Sequence, residues 1–148
     1  MVKSTRWVWV IGALLAFLGL MLAGYACASQ AAAPGPPPIQ WFHDEGLARA
    51  RSRALGKPML IDFRAAWCAA CTMLDRLTWT DPAVRAEVAA RYVPLELDLT
   101  AEDEEAAALM KRYAVTALPT VIAGGNRITG FVPALQMLAV LQARQQLE

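Results

Sequence analysis

Apolar residues along this chain fall into short runs of two kinds, and their spacing separates strands from helices. Met59-Leu60-Ile61-Asp62-Phe63 is an apolar run interrupted only by Asp62 and preceded by Pro58, which reads as a buried central strand. Tyr92 to Leu99 alternates apolar and polar positions, the pattern of a strand with one face buried. Pro119 to Ala123 and Arg127 to Phe131 flank Gly124-Gly125-Asn126, so they predict two strands joined by a tight turn. Ile39 to Phe42 predicts one more short strand upstream of all of these.

Helical spacing fills the intervals. Asp44 can cap a helix carrying Leu47, Ala48, Ala50, Ala54 and Leu55, which Gly56 and Pro58 end. A second helix begins at the Trp67–Cys68 junction and runs through Leu77. A third follows with Asp81 as cap and Pro82 at its first position. Glu102 to Tyr113 predicts a fourth, with acidic residues crowding the first turn, where the helix dipole favours them. Pro133 opens the last, with Leu135, Leu138, Val140 and Leu141 as its apolar face. The order β-α-β-α-α-β-α-β-β-α puts parallel crossovers first and an antiparallel hairpin last. It predicts an α/β domain with a mixed central sheet flanked by helices.

The first residues follow another pattern. Lys3 and Arg6 precede an uncharged stretch from Trp7 to about Ala28, which has the order of an export signal. Three outcomes fit this segment. Ala26-Cys27-Ala28 matches the small-x-small pattern of signal cleavage; the run is also long enough to remain as a membrane anchor. Cys27 ends it as a lipoprotein cysteine does, although Gly24 stands where that signal prefers a leucine-like residue. All three place the folded part outside the cytoplasm. The expected organisation is a signal or anchor over 1–28, a Pro/Ala-rich linker over 29–38 and one domain over 39–148.

Composition narrows the function. Fourteen basic residues against thirteen acidic ones leave a net charge of +1, which gives no footprint for nucleic acid. A second catalytic domain does not fit in 148 residues. Of three cysteines, Cys27 lies in the targeting segment, so the domain holds only the pair Cys68 and Cys71. A pair this close closes almost no loop and therefore stabilises little, which favours chemistry over scaffolding. Zinc is disfavoured, because a tetrahedral site wants four ligands and the domain offers two cysteines and His43. His43 reads as local structure beside the cap Asp44, and Arg49, Arg51 and Arg53 as solvated positions.

Trp67-Cys68-Ala69-Ala70-Cys71 follows a predicted buried strand and opens a helix, the context that gives a CxxC meaning. Cys68 then sits where unpaired backbone amides favour an anion, the placement of a nucleophilic thiol. Cys71 falls one turn deeper on the same face, the placement of a resolving thiol.

The segment MLIDFRAAWCAAC resembles the active-site segment of thioredoxins, and Ala117-Leu118-Pro119-Thr120 is similar to their cis-proline loop. The longer stretches GKPMLIDFRAAWCAACTMLDRLTWTDPAVR and LDLTAEDEEAAALMKRYAVTALPT resemble the C-terminal periplasmic domain of DsbD-type thiol:disulfide interchange proteins. The resemblance implies a thioredoxin-like fold and dithiol–disulfide exchange without a cofactor. It implies that Asp62 is the buried acid that exchanges a proton with the resolving cysteine; Asp62 also reads as a strand-end aspartate with a structural hydrogen bond. Asp75, a turn after Cys71, matches an acidic modulator, and reads equally as a solvated helix residue beside Arg76. Trp67, Leu118 and Pro119 would border the substrate. Ala69-Ala70 and Thr72 depart from the thioredoxin pattern, and these positions tune thiolate stability, so the reduction potential does not carry over.

The implied partners are disulfide-bearing exported proteins and an upstream electron donor, membrane-bound or soluble, with membrane contact through the N-terminal segment. Reduction of protein disulfides is the expected direction. Disulfide oxidation and service to cytochrome c maturation are alternatives, and a non-catalytic peptide-binding module is the competitor from another class.

Overall fold

The computed structural model describes residues 35–143. The expected signal or anchor, most of the linker and residues 144–148 lie outside the described residues. Among the described residues no helix is long and apolar enough to cross a membrane.

A sheet of four strands forms the centre: β1 (Met59–Arg64), β2 (Val93–Asp98), β3 (Thr120–Ala123) and β4 (Asn126–Thr129), in the order β2-β1-β3-β4. β1 pairs in parallel with β2 and antiparallel with β3, and β3 pairs antiparallel with β4. Around it lie α1 (Glu45–Leu55), α2 (Ala69–Leu77), α3 (Pro82–Arg91), α4 (Glu104–Tyr113) and α5 (Ala134–Gln142). The mixed sheet expected from the strand order is present.

Alternation along β1 divides the core in two. Leu60 joins Leu74, Trp79, Val84, Val88, Met137 and Leu141 on one face. Ile61 and Phe63 join Ala48, Leu95, Leu97 and Ala106 on the other. β1 is thus covered on both sides, which is why its sequence reads as a nearly continuous apolar run. β2 turns Val93, Leu95 and Leu97 to the second face, leaving Glu96 on the first. Across that second face Glu45 of α1 accepts from Tyr113 and pairs with Arg112 of α4, tying the two helices together.

The caps follow from the sequence. Asp44 accepts from the Leu47 amide at 2.7 Å, and Asp81 accepts from the amides of Ala83 and Val84 at 2.9 and 3.1 Å. Gly56 ends α1 at φ +64°, a left-handed conformation that glycine adopts without a Cβ penalty.

α1 is present within its expected limits, with Ala48 buried and Leu47 and Leu55 exposed. Four expectations are corrected. Ile39 to Phe42 is not a strand: only Phe42 bridges to Leu95, with its amide donating to Pro94 and its carbonyl accepting from Glu96. α4 begins two residues later than predicted, because Asp103 is its cap and Glu102 has a positive φ of 50°. β4 takes in Asn126 from the turn and stops at Thr129; Phe131 instead packs into the first core. In α5 the buried positions are Met137 and Leu141, while Leu135 is 80% exposed. A run of adjacent apolar residues does not by itself say which side of a helix meets the sheet.

Candidate active site

β1 leads directly into the cysteine pair. After Arg64 the chain turns at Ala65, which is fully buried, and the Cys68 amide donates to the Ala65 carbonyl at 3.1 Å. Cys68 has extended dihedrals and occupies the N-cap position of α2, where its Sγ accepts from the Cys71 amide at 3.1 Å. A sulfur placed there meets a free backbone donor and the positive end of the helix dipole, which together favour negative charge on it. Cys68 and Cys71 are joined in a disulfide, with Cα atoms 5.2 Å apart.

The two sulfurs differ in access. Cys68 is 7% exposed and lines an open groove of about 630 Å³, whereas Cys71 is 1% exposed and does not line it. The groove runs between Trp67, Ala69 and Ala70 on one side and Ala106, Ala107 and Met110 of α4 on the other. Leu118 lines it as well and packs against the cysteine pair. Trp67 is 59% exposed, so it stands at the rim and not in the core. The Leu118–Pro119 peptide bond is cis, and Pro119 is buried with its carbonyl accepting from the Gly130 amide at 2.8 Å.

Asp62 lies beneath α2, on the sheet face covered by Leu74 and Trp79, and is 1% exposed. The Trp79 indole Nε1 donates to its Oδ2 at 2.8 Å, and its Oδ1 has no hydrogen-bond partner among the described residues. Burial pushes its carboxyl up to about 7; the Trp79 bond and Arg64 oppose the rise, while Asp75 and Glu96 add to it. A carboxyl held in that range can gain or lose a proton near neutrality.

Asp75 pairs with Arg64, Nη2 to Oδ2 at 2.9 Å, and not with its neighbour Arg76. Partial burial raises its carboxyl and Arg64 opposes the rise. Neither sequence reading of Asp75 included this ion pair. His43 approaches Glu96, Nδ1 to Oε1 at 3.6 Å, so its contact lies on β2 and not on its own cap. Arg49, Arg51 and Arg53 are exposed, as expected.

Sequence reasoning passed over Trp79, Arg64, Glu96 and the α4 wall of the groove. Trp79 had a signal, since a large aromatic at the end of a helix facing a strand aspartate offers an indole donor. Arg64 and Glu96 had a weaker one, as charges inside segments read as strands.

A thioredoxin-like family model matches residues 39–125, which includes the cysteine pair, Asp62 and the cis-proline loop. The chain belongs to the thioredoxin-like family. Among curated relatives, a thiol:disulfide interchange protein DsbD of Yersinia pestis is 37% identical over 99 residues, 62% of this chain and 16% of the relative. The DsbD of Pectobacterium atrosepticum is 38% identical over 113 residues, 71% of this chain and 19% of the relative. The chain therefore spans less than a fifth of the length of these DsbD proteins. Among solved structures, the reduced C-terminal domain of Neisseria meningitidis DsbD superposes with a TM-score of 0.56 at 29% identity, covering 66% of this chain and 93% of that domain. The CxxC pair joined at a helix start of this fold thus stands in a chain similar to the C-terminal domain of DsbD.

Proposed function

We propose that this thioredoxin-like protein works outside the cytoplasm as a reductase of protein disulfides, with Cys68 as nucleophile, Cys71 as resolving thiol and Asp62 as proton acceptor. The difference in access between the two sulfurs carries the reading. The Cys68 thiolate attacks one sulfur of a client disulfide, forming a mixed disulfide and releasing the other client sulfur as a thiolate. Asp62 takes the proton from Cys71, whose thiolate then attacks the Cys68 sulfur. That step frees the second client sulfur and leaves Cys68–Cys71 oxidised. An upstream dithiol returns two electrons and restores the pair.

The client lies along the apolar groove, with Leu118, held by the cis bond to Pro119, beside the reacting sulfurs and Trp67 at the rim. Kinship with DsbD supports the reductive direction and an extracytoplasmic client, and the apolar start of the chain after Lys3 and Arg6 supports export. Whether that start is cleaved, retained as an anchor or lipidated at Cys27 is a separate processing step that leaves the dithiol chemistry the same.

The test is capture. With Cys71→Ala in the native compartment, resolution is blocked and clients accumulate as mixed disulfides on Cys68, seen as reducible high-mass species and identified by mass spectrometry. The double variant lacking both cysteines captures none. If Cys71→Ala captures nothing while the protein is folded and exported, the exchange role is wrong. A redox titration against glutathione then fixes direction: a potential below that of the compartment supports reduction, one above it supports oxidation.

A further inference from the structure

Charged side chains from three elements converge on the sheet face that buries Asp62. Arg64 stands two residues beyond Asp62 on β1, so its side chain leaves the same face of the strand. Its Nη2 is 2.9 Å from Asp75 Oδ2 on α2, and its Nη1 is 3.9 Å from Glu96 Oε1 on β2. Glu96 is the cross-strand partner of Asp62 in the parallel ladder. Arg64 is thus a cation held between two carboxylates, next to a third carboxylate that is sealed from water. Arg64 Nε and Asp62 Oδ1 are both buried without a hydrogen-bond partner among the described residues.

Among the described residues, the other neighbours of Asp62 supply no comparable charge. Trp79 gives an indole N–H, and Val121 of β3 is its other cross-strand neighbour. From α3 and α5 the residues packed on this face are Val84, Val88, Met137 and Leu141. His43 approaches the outer side of Glu96, and Asp98 lies at the end of β2 beside Arg64 in register.

We propose that Arg64 is a positioning residue for proton transfer: it holds Asp75 and Glu96 as counter-ions beside Asp62 and thereby sets how tightly Asp62 keeps its proton. This rests on the reading of Asp62 as the proton acceptor of Cys71. Without the cation, two uncompensated carboxylates would face Asp62 and make its ionisation harder. Without Glu96, one carboxylate fewer would face Asp62 and compete for the cation, and the ionisation would be easier. The signs agree with the separate influences on Asp62, where Asp75 and Glu96 raise its proton affinity and Arg64 lowers it.

The opposite signs make the test. The rate at which the reduced full chain reduces glutathione disulfide is followed from pH 5 to 9, and Asp62→Asn identifies the inflection that belongs to Asp62. Arg64→Gln is expected to move that inflection upward by roughly half a pH unit or more, and Glu96→Gln to move it downward. Arg64→Lys, which keeps the charge, restores most of the wild-type profile. If the glutamine variants fold but shift the inflection in the same direction, or only scale the rate without shifting it, Arg64 is a structural ion-pair partner and the inference is wrong. If Asp62→Asn leaves the inflection in place, the proton-acceptor reading fails instead. Carboxyl NMR titration of Asp62 in the Arg64→Gln protein then still decides whether Arg64 governs that group.

Discussion

The Trp79 indole Nε1 donates a 2.8 Å hydrogen bond to Oδ2 of Asp62, and both residues are buried. The bond satisfies one carboxyl oxygen and leaves Oδ1 without a partner. A buried carboxyl served by one donor is held neutral more readily than ionised, and it costs stability whenever it must carry charge.

Asp62→Asn is expected to stabilise the protein, increasingly so as pH rises. Burial lifts the carboxyl to about 7, well above its ordinary value, so wild-type stability is fully present below the unfolded carboxylate range and declines as pH rises toward 7. Asparagine keeps an acceptor for Trp79 and cannot ionise. The gain at neutral pH is on the order of 4 kcal/mol, the linkage limit for a shift of this size. Urea unfolding of both proteins at pH 4, 6 and 8 checks it: curves that coincide at low pH should separate at high pH. Disulfide exchange in the variant is expected to slow by roughly ten- to a hundredfold, the usual share of a general acid or base.

Trp79→Phe removes the donor while keeping most of the ring volume. Leaving Asp62 Oδ2 unpaired is expected to cost about 1–3 kcal/mol. Because that bond lowers the proton affinity of Asp62, its loss moves the Asp62 inflection to higher pH. In the Asp62→Asn background the same substitution should leave the pH profile unmoved, and a double-mutant cycle of unfolding energies with parallel rate profiles measures the coupling.

Met110→Glu places a carboxylate in the apolar wall of the groove opposite Ala69 and Ala70. A client segment must then desolvate that charge, so KM for a protein disulfide is expected to rise roughly three- to tenfold. Reaction of the reduced pair with glutathione disulfide, which needs little of the groove, should stay near wild type. Equal losses on both substrates would place clients elsewhere.

Asp81→Ala removes the cap of α3, which is remote from the groove. Loss of its two amide contacts is expected to lower stability by about 1 kcal/mol without changing exchange rates, measured by thermal unfolding and by insulin reduction.

How far the site was legible depends on how local each part is. The CxxC, the strand before it and the helix it opens are neighbours in sequence, so spacing located them. Asp62 stood out as the one charge in MLIDF, and Ala117-Leu118-Pro119-Thr120 through its resemblance to a family loop. Helix limits at Asp44, Gly56, Asp81 and Pro82 were readable for the same reason, since a cap acts on the turn beside it. Leu135 and the strand expected over Ile39 to Phe42 misled, because apolar character does not reveal which surface a neighbour will cover.

The sequence by itself determined the α/β order of elements, the position of Cys68 at a helix start and the depth of Cys71 one turn later, because those are consequences of backbone periodicity and capping. Only the tertiary structure decided what surrounds Asp62. Trp79 reaches it across 17 residues and Glu96 lies beside it through parallel strand pairing, while Arg64 holds Asp75 from the adjoining helix. The electrostatic character of that buried carboxyl comes from side chains that only packing brings together. The chain order names the acid, and the fold sets its proton affinity.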